Sequence, residues 1–178
     1  MDKKEEVIKF FIKEPEREFH VREISRILKK SPTTISKYLR EYEKQGVLKS
    51  AKKFNHLFFK ANSENREFKQ IKLSYNLKSL QVSGVVDFIE EELNYPQAIV
   101  LFGSFAKAED SVKSDIDLLV LSPIKKQINL KKFEKKLEKN IQLFVHSREE
   151  FKKLKQKNKE LVNAWLNGIV LSGSLEVF

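Results

Sequence analysis

Phe102–Val120, FGSFAKAEDSVKSDIDLLV, decides the fold. Ahead of it, Ala98-Ile99-Val100-Leu101 is a short apolar run of the kind that forms a buried strand. Gly103-Ser104 breaks that strand, and Phe105–Glu109 starts a helix. After a polar turn a second strand begins at Asp115. It carries Asp115 and Asp117 on either side of Ile116, then Leu118-Leu119-Val120-Leu121. Side chains alternate along a strand, so both carboxylates share a face, with Cα atoms about 6.5–7 Å apart. Two carboxylates at the mouth of a buried strand suit a hard divalent cation such as Mg²⁺. Gly103 has no Cβ and lets backbone approach a ligand closely. Free N–H groups from Ser104 to Lys107, with the Ser104 hydroxyl, make an anion site. Phosphates at Gly103-Ser104 and a metal at Asp115 and Asp117 would together grip ATP or another nucleoside triphosphate. Alone, a Gly-Ser is a turn and a D-x-D a solvated strand end. Their combination in one strand–turn–strand unit is far rarer.

These motifs resemble the nucleotidyltransferase superfamily that includes DNA polymerase β and kanamycin nucleotidyltransferase, and within it the minimal nucleotidyltransferases. The matching residues are Gly103-Ser104, Ala106-Lys107-Ala108 and Ser114-Asp115-Ile116-Asp117. Lys107 stands where the family usually has Arg, and Ala108 where it has Gly. The resemblance covers roughly the last half of the chain. It implies that Asp115 and Asp117 are catalytic and hold Mg²⁺. It also implies that Gly103, Ser104, Lys107 and Ser114 bind the nucleotide. Members that transfer nucleotides carry a third carboxylate on the next strand. Here that strand is Ile141-Gln142-Leu143-Phe144-Val145, and the matching position holds Gln142. An amide is no general base near neutral pH and is a poorer Mg²⁺ ligand than a carboxylate.

Charge points to a second partner. The chain of 178 residues carries a net charge of +10. Between Val21 and Lys60 eleven Lys and Arg face Glu23, Glu41 and Glu43, so 11 − 3 = +8 of the excess lies in that segment. Such concentration favours a nucleic acid partner. The same segment follows a helix from Lys3 to Glu14 and a short extended piece, Phe19-His20-Val21. It places a helix at Arg22–Lys30, then a helix from Ser31-Pro32 to Gln45, with Ser as N-cap and Pro at the first turn. Gly46 ends that helix. Val47-Leu48-Lys49 and Leu57–Lys60 read as strands around a turn holding Lys52, Lys53 and Asn55. Three helices and a basic hairpin over residues 1–62 resemble the winged helix-turn-helix of small DNA-binding regulators. That geometry sends the third helix into the major groove of double-stranded DNA. It offers Thr33, Thr34, Ser36, Lys37 and Arg40 to the DNA, with Lys52 and Lys53 on the wing. The competing use of such a fold is protein contact.

Residues 63–80 read as a connecting helix, with a break near Ser83-Gly84. Phe68, Ile71, Tyr75, Val82, Val85, Phe88 and Ile89 keep a helical face that also suits a homodimer contact. Beyond the central motif, a helix is expected over Ile128–Lys139 and a strand over Ile141–Val145. A helix should follow the capping box Ser147-Arg148-Glu149-Glu150, and another should run over Lys159–Asn167. Closing strands are expected at Ile169–Leu171 and Leu175–Val177. The chain has no cysteine, so disulfides and thiolate metal sites are excluded. No apolar run approaches the ~18 residues of a membrane span. The start has no apolar core of leader length, so a cytoplasmic protein without a membrane partner is expected.

The expected architecture is α+β or α/β. A winged helix-turn-helix at 1–62 is joined by a connecting helix at 63–80 to a nucleotidyltransferase-like domain at 81–178, a small mixed sheet flanked by helices. Two readings stay open: a Mg²⁺-dependent transferase acting on a small molecule, RNA or partner protein, and a DNA-binding regulator with a nucleotide-sensing domain. The resemblance also implies a third, the antitoxin of a toxin–antitoxin pair.

Overall fold

The computed structural model describes residues 3–176. Contacts divide the chain into two compact units, Met1–Lys72 and Leu73–Phe178.

The first unit is built from α1 (Lys3–Lys13), β1 (Phe19–His20), α2 (Val21–Leu28), α3 (Pro32–Lys44), β2 (Leu48–Lys53) and β3 (His56–Ala61). The strands form an antiparallel sheet of order β1-β3-β2. Its core is Val7, Phe11, Phe19, Ile24, Ile35, Leu39 and Phe59, all fully buried. Phe19 meets Phe11 edge-on at 5.1 Å, a favoured aromatic geometry. The Ser31 hydroxyl accepts from Thr34 N at 3.1 Å, so one orphan amide of the α3 start is satisfied. Gly46, at φ +74°, reverses the chain after α3, and Val47 N donates back to Tyr42 O. Two boundaries differ from expectation. Helix α2 stops at Leu28, because Lys29 adopts the left-handed conformation. Strands β2 and β3 extend to Lys53 and from His56, so the turn is Phe54-Asn55 and Lys52 and Lys53 lie on the strand.

Helix α4 (Arg66–Ser83) carries the chain from one unit into the other. Gly84, at φ +76°, separates it from α5 (Val85–Glu92), where the expected break falls. The second unit continues with β4 (Ala98–Phe102), α6 (Gly103–Ala106), β5 (Ile116–Leu121), α7 (Lys131–Leu137) and β6 (Ile141–His146). It closes with α8 (Arg148–Lys157), α9 (Lys159–Leu166) and β7 (Ile169–Gly173). The sheet order is β6-β5-β4-β7; β5 and β6 are parallel and the other pairs antiparallel. Strand alternation sorts the sheet into two apolar faces. Ile99, Leu101, Ile116, Leu118 and Val120 pack with Leu80, Val85, Ile89 and Phe133. Ala98, Val100, Phe102, Leu119 and Leu121 pack with Phe151, Val162 and Trp165. Sheets covered on both faces read as the near-continuous apolar runs that β4 and β5 are.

Three expectations are corrected here. The helix expected over Ile128–Lys139 is only Lys131–Leu137, because Glu138 turns left-handed and Ile128-Asn129 remain irregular. The helix expected over Phe105–Glu109 is the single turn Gly103–Ala106, closed by Ala108 at φ +56°. Leu175 and Glu176 are irregular, so the final strand expected there is absent among the described residues; Val177 lies outside them.

Candidate functional site

The site grows out of the register of β4, β5 and β6. Asp117 is the Cα partner of Phe102 on one side and of Gln142 on the other. Parallel partners face the same way, so Asp117, Leu119 and Leu121 share a face with Gln142, Phe144 and His146. Leu119 and Phe144 belong to the apolar cluster beneath that face. Phe102 packs on Phe144 at 5.5 Å and on Trp165 at 6.3 Å. The row of apolar side chains therefore ends at Asp117 and Gln142, and the polar site sits on an aromatic floor.

Asp115 lies one residue before β5. Its carboxylate is held by two neutral amides. Gln142 Nε2 donates to Oδ2 at 2.6 Å, and Asn140 Nδ2 donates to Oδ1 at 3.1 Å. Ile116 N donates to Asn140 O at 2.9 Å and fixes the start of the β5–β6 pair. Asp117 has no such amide clamp. Burial, with the Asp115 charge adding to it, pushes the Asp117 carboxyl above its ordinary 3.8. Gly103 sits against it at φ +74°; a Cβ there would overlap Asp117 Oδ2. The turn thus needs glycine twice over, for its left-handed backbone and for the carboxylate beside it.

The loop that delivers Asp115 is braced from below. Lys139 Nζ donates to Ser111 O at 2.6 Å and to Ser114 O at 3.3 Å, and stands 3.3 Å from Asp110 Oδ2. Asp110 is 4% exposed and accepts from Asn76 Nδ2 at 3.0 Å. Asn76 also donates to Phe105 O, so one side chain ties the Gly103 turn to the Asp115 loop. Ser114 Oγ accepts from Ser111 N at 2.9 Å, which places this hydroxyl inside the loop's own turn. Ser104 is half-buried and Lys107 exposed on the α6 side. Sequence reasoning named Gly103, Ser104, Lys107, Ser114, Asp115, Asp117 and Gln142. It missed Asn76, Asp110, Lys139 and Asn140 as partners, since their contacts span 25 to 34 positions of sequence.

In the first unit a concave surface of about 600 Å³ opens between α3 and the hairpin. Thr33, Ser36, Lys37 and Arg40 of α3 line it, opposite Asn55 and His56, with Arg22 at one end. No carboxylate lines it. Thr34 is turned to the Ser31 cap, with the two hydroxyl oxygens 2.8 Å apart. Lys53 pairs with Glu18 at 2.6 Å and Arg40 with Glu43 at 2.8 Å. Lys52 is exposed on β2. His20 and His56 meet edge-on at 5.0 Å. Burial of His20, with the neighbouring His56 and Arg22, pulls its pKa below the ordinary 6.5.

The second unit is an α+β domain with a mixed sheet and a glycine turn set against a carboxylate pair. Residues 82–172, just over half of the chain, match the family model described as a nucleotidyltransferase domain, and the chain belongs to that family. Searches of curated proteins and of solved structures give no match. Nucleotidyltransferase domains generally use a nucleoside triphosphate and Mg²⁺. The donor set here fits one such ion. Mg²⁺ commonly takes one or two carboxylates together with substrate phosphates and water, and Asp115 and Asp117 supply the carboxylates. No group of three or more His, Cys, Asp and Glu side chains that could hold a metal ion exists among the described residues. Among them too, no helix is long and apolar enough to cross a membrane.

Proposed function

We propose that the second unit binds a nucleoside triphosphate with Mg²⁺ and holds it far longer than it turns it over. The observation that carries this reading is the hydrogen bond from Gln142 Nε2 to Asp115 Oδ2, at the β6 position beside Asp117. Asp115 and Asp117 would hold the ion, which when bound neutralises phosphate charge. Gly103 and Ser104 approach the phosphates, and Lys107 adds positive charge. Gln142 positions Asp115 and accepts no proton from an attacking hydroxyl. Activation of the acceptor is the step this chain's residues leave unsupported. The absence of such acid–base help typically lowers a rate by about 10²–10⁴.

The first unit, on this reading, is a winged helix that binds double-stranded DNA. Its support is the carboxylate-free concave surface formed by α3 and the hairpin. Lys37 and Thr33 on α3 face the groove, and Lys52 flanks the backbone. The whole chain is then a DNA-binding regulator that senses a nucleotide. Calorimetry of Mg-ATP binding tests the first half: wild type binds, and Asp115→Asn with Asp117→Asn does not. Equal affinity for both proteins refutes it. Incubation with labelled ATP, Mg²⁺ and cell lysate tests turnover, and rapid labelling of an acceptor would return the chain to the active transferases.

A further inference from the structure

The tip of the β2–β3 hairpin breaks two local rules at once. Lys53 and His56 are register partners, so the turn is the two residues Phe54 and Asn55. Both have positive φ, 48° and 61°, the pattern of a type I′ turn, which favours Asn and Gly. A bulky aromatic residue in that region is an outlier. The Phe54 side chain is also 95% exposed, so it contributes nothing to the core. Backbone and solvent both disfavour phenylalanine here. Sequences break local rules of this kind where a site requires it.

Its surroundings say what the ring meets. Lys52 and Lys53 precede it, and Asn55 and His56 follow it into the concave surface shared with Lys37 and Arg40. The tip is therefore an apolar point between Lys52, the Glu18-paired Lys53 and the concave surface whose charged lining residues are Arg22, Lys37 and Arg40. That combination matches a duplex: the lysines meet phosphates on the groove walls, and the ring meets the faces of the bases. We propose that Phe54 is a wedge that enters the minor groove of double-stranded DNA and partly unstacks one base step. The inference rests on the reading of the first unit as a DNA-binding module. Apolar side chains inserted in this way kink the duplex toward the major groove, and the bend brings more of its backbone against the basic surface.

Two variants of the full-length chain, with a mixed-sequence duplex at low salt as probe, test it. Phe54→Asn suits the turn, so it melts no lower than wild type. Its affinity for the duplex falls about tenfold, as expected for loss of one base–aromatic stack. Its salt dependence is unchanged, because no phosphate contact is removed. Phe54→Trp supplies a reporter, since the one native tryptophan, Trp165, is fully buried. The introduced indole loses emission on DNA addition and becomes protected from acrylamide. If Phe54→Asn binds as tightly as wild type, or the indole stays open to acrylamide in the complex, the wedge is wrong while the DNA-binding reading stands. A lower melting temperature for Phe54→Asn makes the ring structural and also overturns the wedge. Failure of wild type to retard the duplex removes both readings.

Discussion

Replacing Gln142 with aspartate removes one of the two amides on Asp115 and sets a third carboxylate beside Asp117, and the consequences can be sized from the register. Gln142 and Asp117 are partners in the parallel β5–β6 ladder, where neighbouring strands lie about 4.8 Å apart. Unit charges at about 5 Å in an effective dielectric between 20 and 80 repel by about 1–3 kcal/mol. Loss of the Gln142–Asp115 hydrogen bond removes about 1 kcal/mol more at this exposed edge. Without a divalent cation at pH 7, Gln142→Asp should therefore be about 2–4 kcal/mol less stable than wild type. At roughly 4–8 °C per kcal/mol for a unit of this size, the melting temperature falls by at least roughly 8 °C. The new carboxyl, placed between two others, has a folded pKa above its unfolded one. Its penalty is therefore absent below the unfolded pKa and grows as pH rises through the folded pKa. The deficit measured by melting in EDTA should shrink toward pH 4. Mg²⁺ should restore the variant by mass action and raise wild type less. Nucleotidyl transfer to an acceptor in lysate should rise by about 10²–10⁴ over wild type. A variant that melts like wild type in EDTA at pH 7 and ignores Mg²⁺ would place Gln142 outside the cation site. A wild type that already labels an acceptor as fast would show the third carboxylate to be dispensable.

Three further outcomes follow from the same geometry. Gly103→Ala forces a left-handed alanine, costing about 1–2 kcal/mol, and drives its Cβ into Asp117 Oδ2; calorimetry should find no Mg-ATP binding, and an unchanged affinity would contradict the assigned turn. Asp117 has a folded pKa raised above 3.8, so the folded protein keeps a proton that the unfolded chain releases, and stability declines as pH rises through that window. Asp117→Asn should therefore melt above wild type at pH 7, with the gain vanishing below the unfolded pKa, while losing Mg-ATP binding; an equal melting temperature across the range would refute the burial argument. Lys37→Ala should weaken duplex binding across sequences and reduce the salt slope by about 1 if it contacts a phosphate, or relax specificity if it reaches a base; retardation identical to wild type would move the interface elsewhere.

The legible parts of the site are those whose chemistry is local. Asp115 and Asp117 are two residues apart, and strand alternation alone puts them on one face. Gly103-Ser104 follows directly on an apolar strand, and Ser31-Pro32 and Gly46 punctuate α3 in place. Gln142 required knowledge of which residue lies beside Asp117, a matter of register that only the family resemblance supplied. Asn76, Asp110 and Lys139 were out of reach, because each looks like an ordinary polar residue until the fold closes 25 or more positions of chain. Phe54 was passed over for a related reason. The strand expected to end at Lys49 runs on to Lys53, and a two-residue turn without glycine carries little local signal of where it falls.

On the proposed reading, the amide clamp would separate binding from turnover. In the structure both Asp115 oxygens already receive donors, so this carboxylate is satisfied without an ion. Asp117 is the reverse case: half-buried, without an amide clamp, and held above its ordinary pKa. On that reading the drive to recruit a cation would come from Asp117, which gains most from a neutralising charge, while Asp115 is oriented in advance to share it. An amide carries both a donor and an acceptor. Rotation of the Gln142 terminus would present Oε1 where Nε2 now stands, so the same amide could serve a bound cation as a neutral ligand. Such a site would gain a ligand from Gln142 but no third carboxylate to act as base. That asymmetry, more than the count of carboxylates, is the reason the proposed reading favours retention of a triphosphate over its transfer.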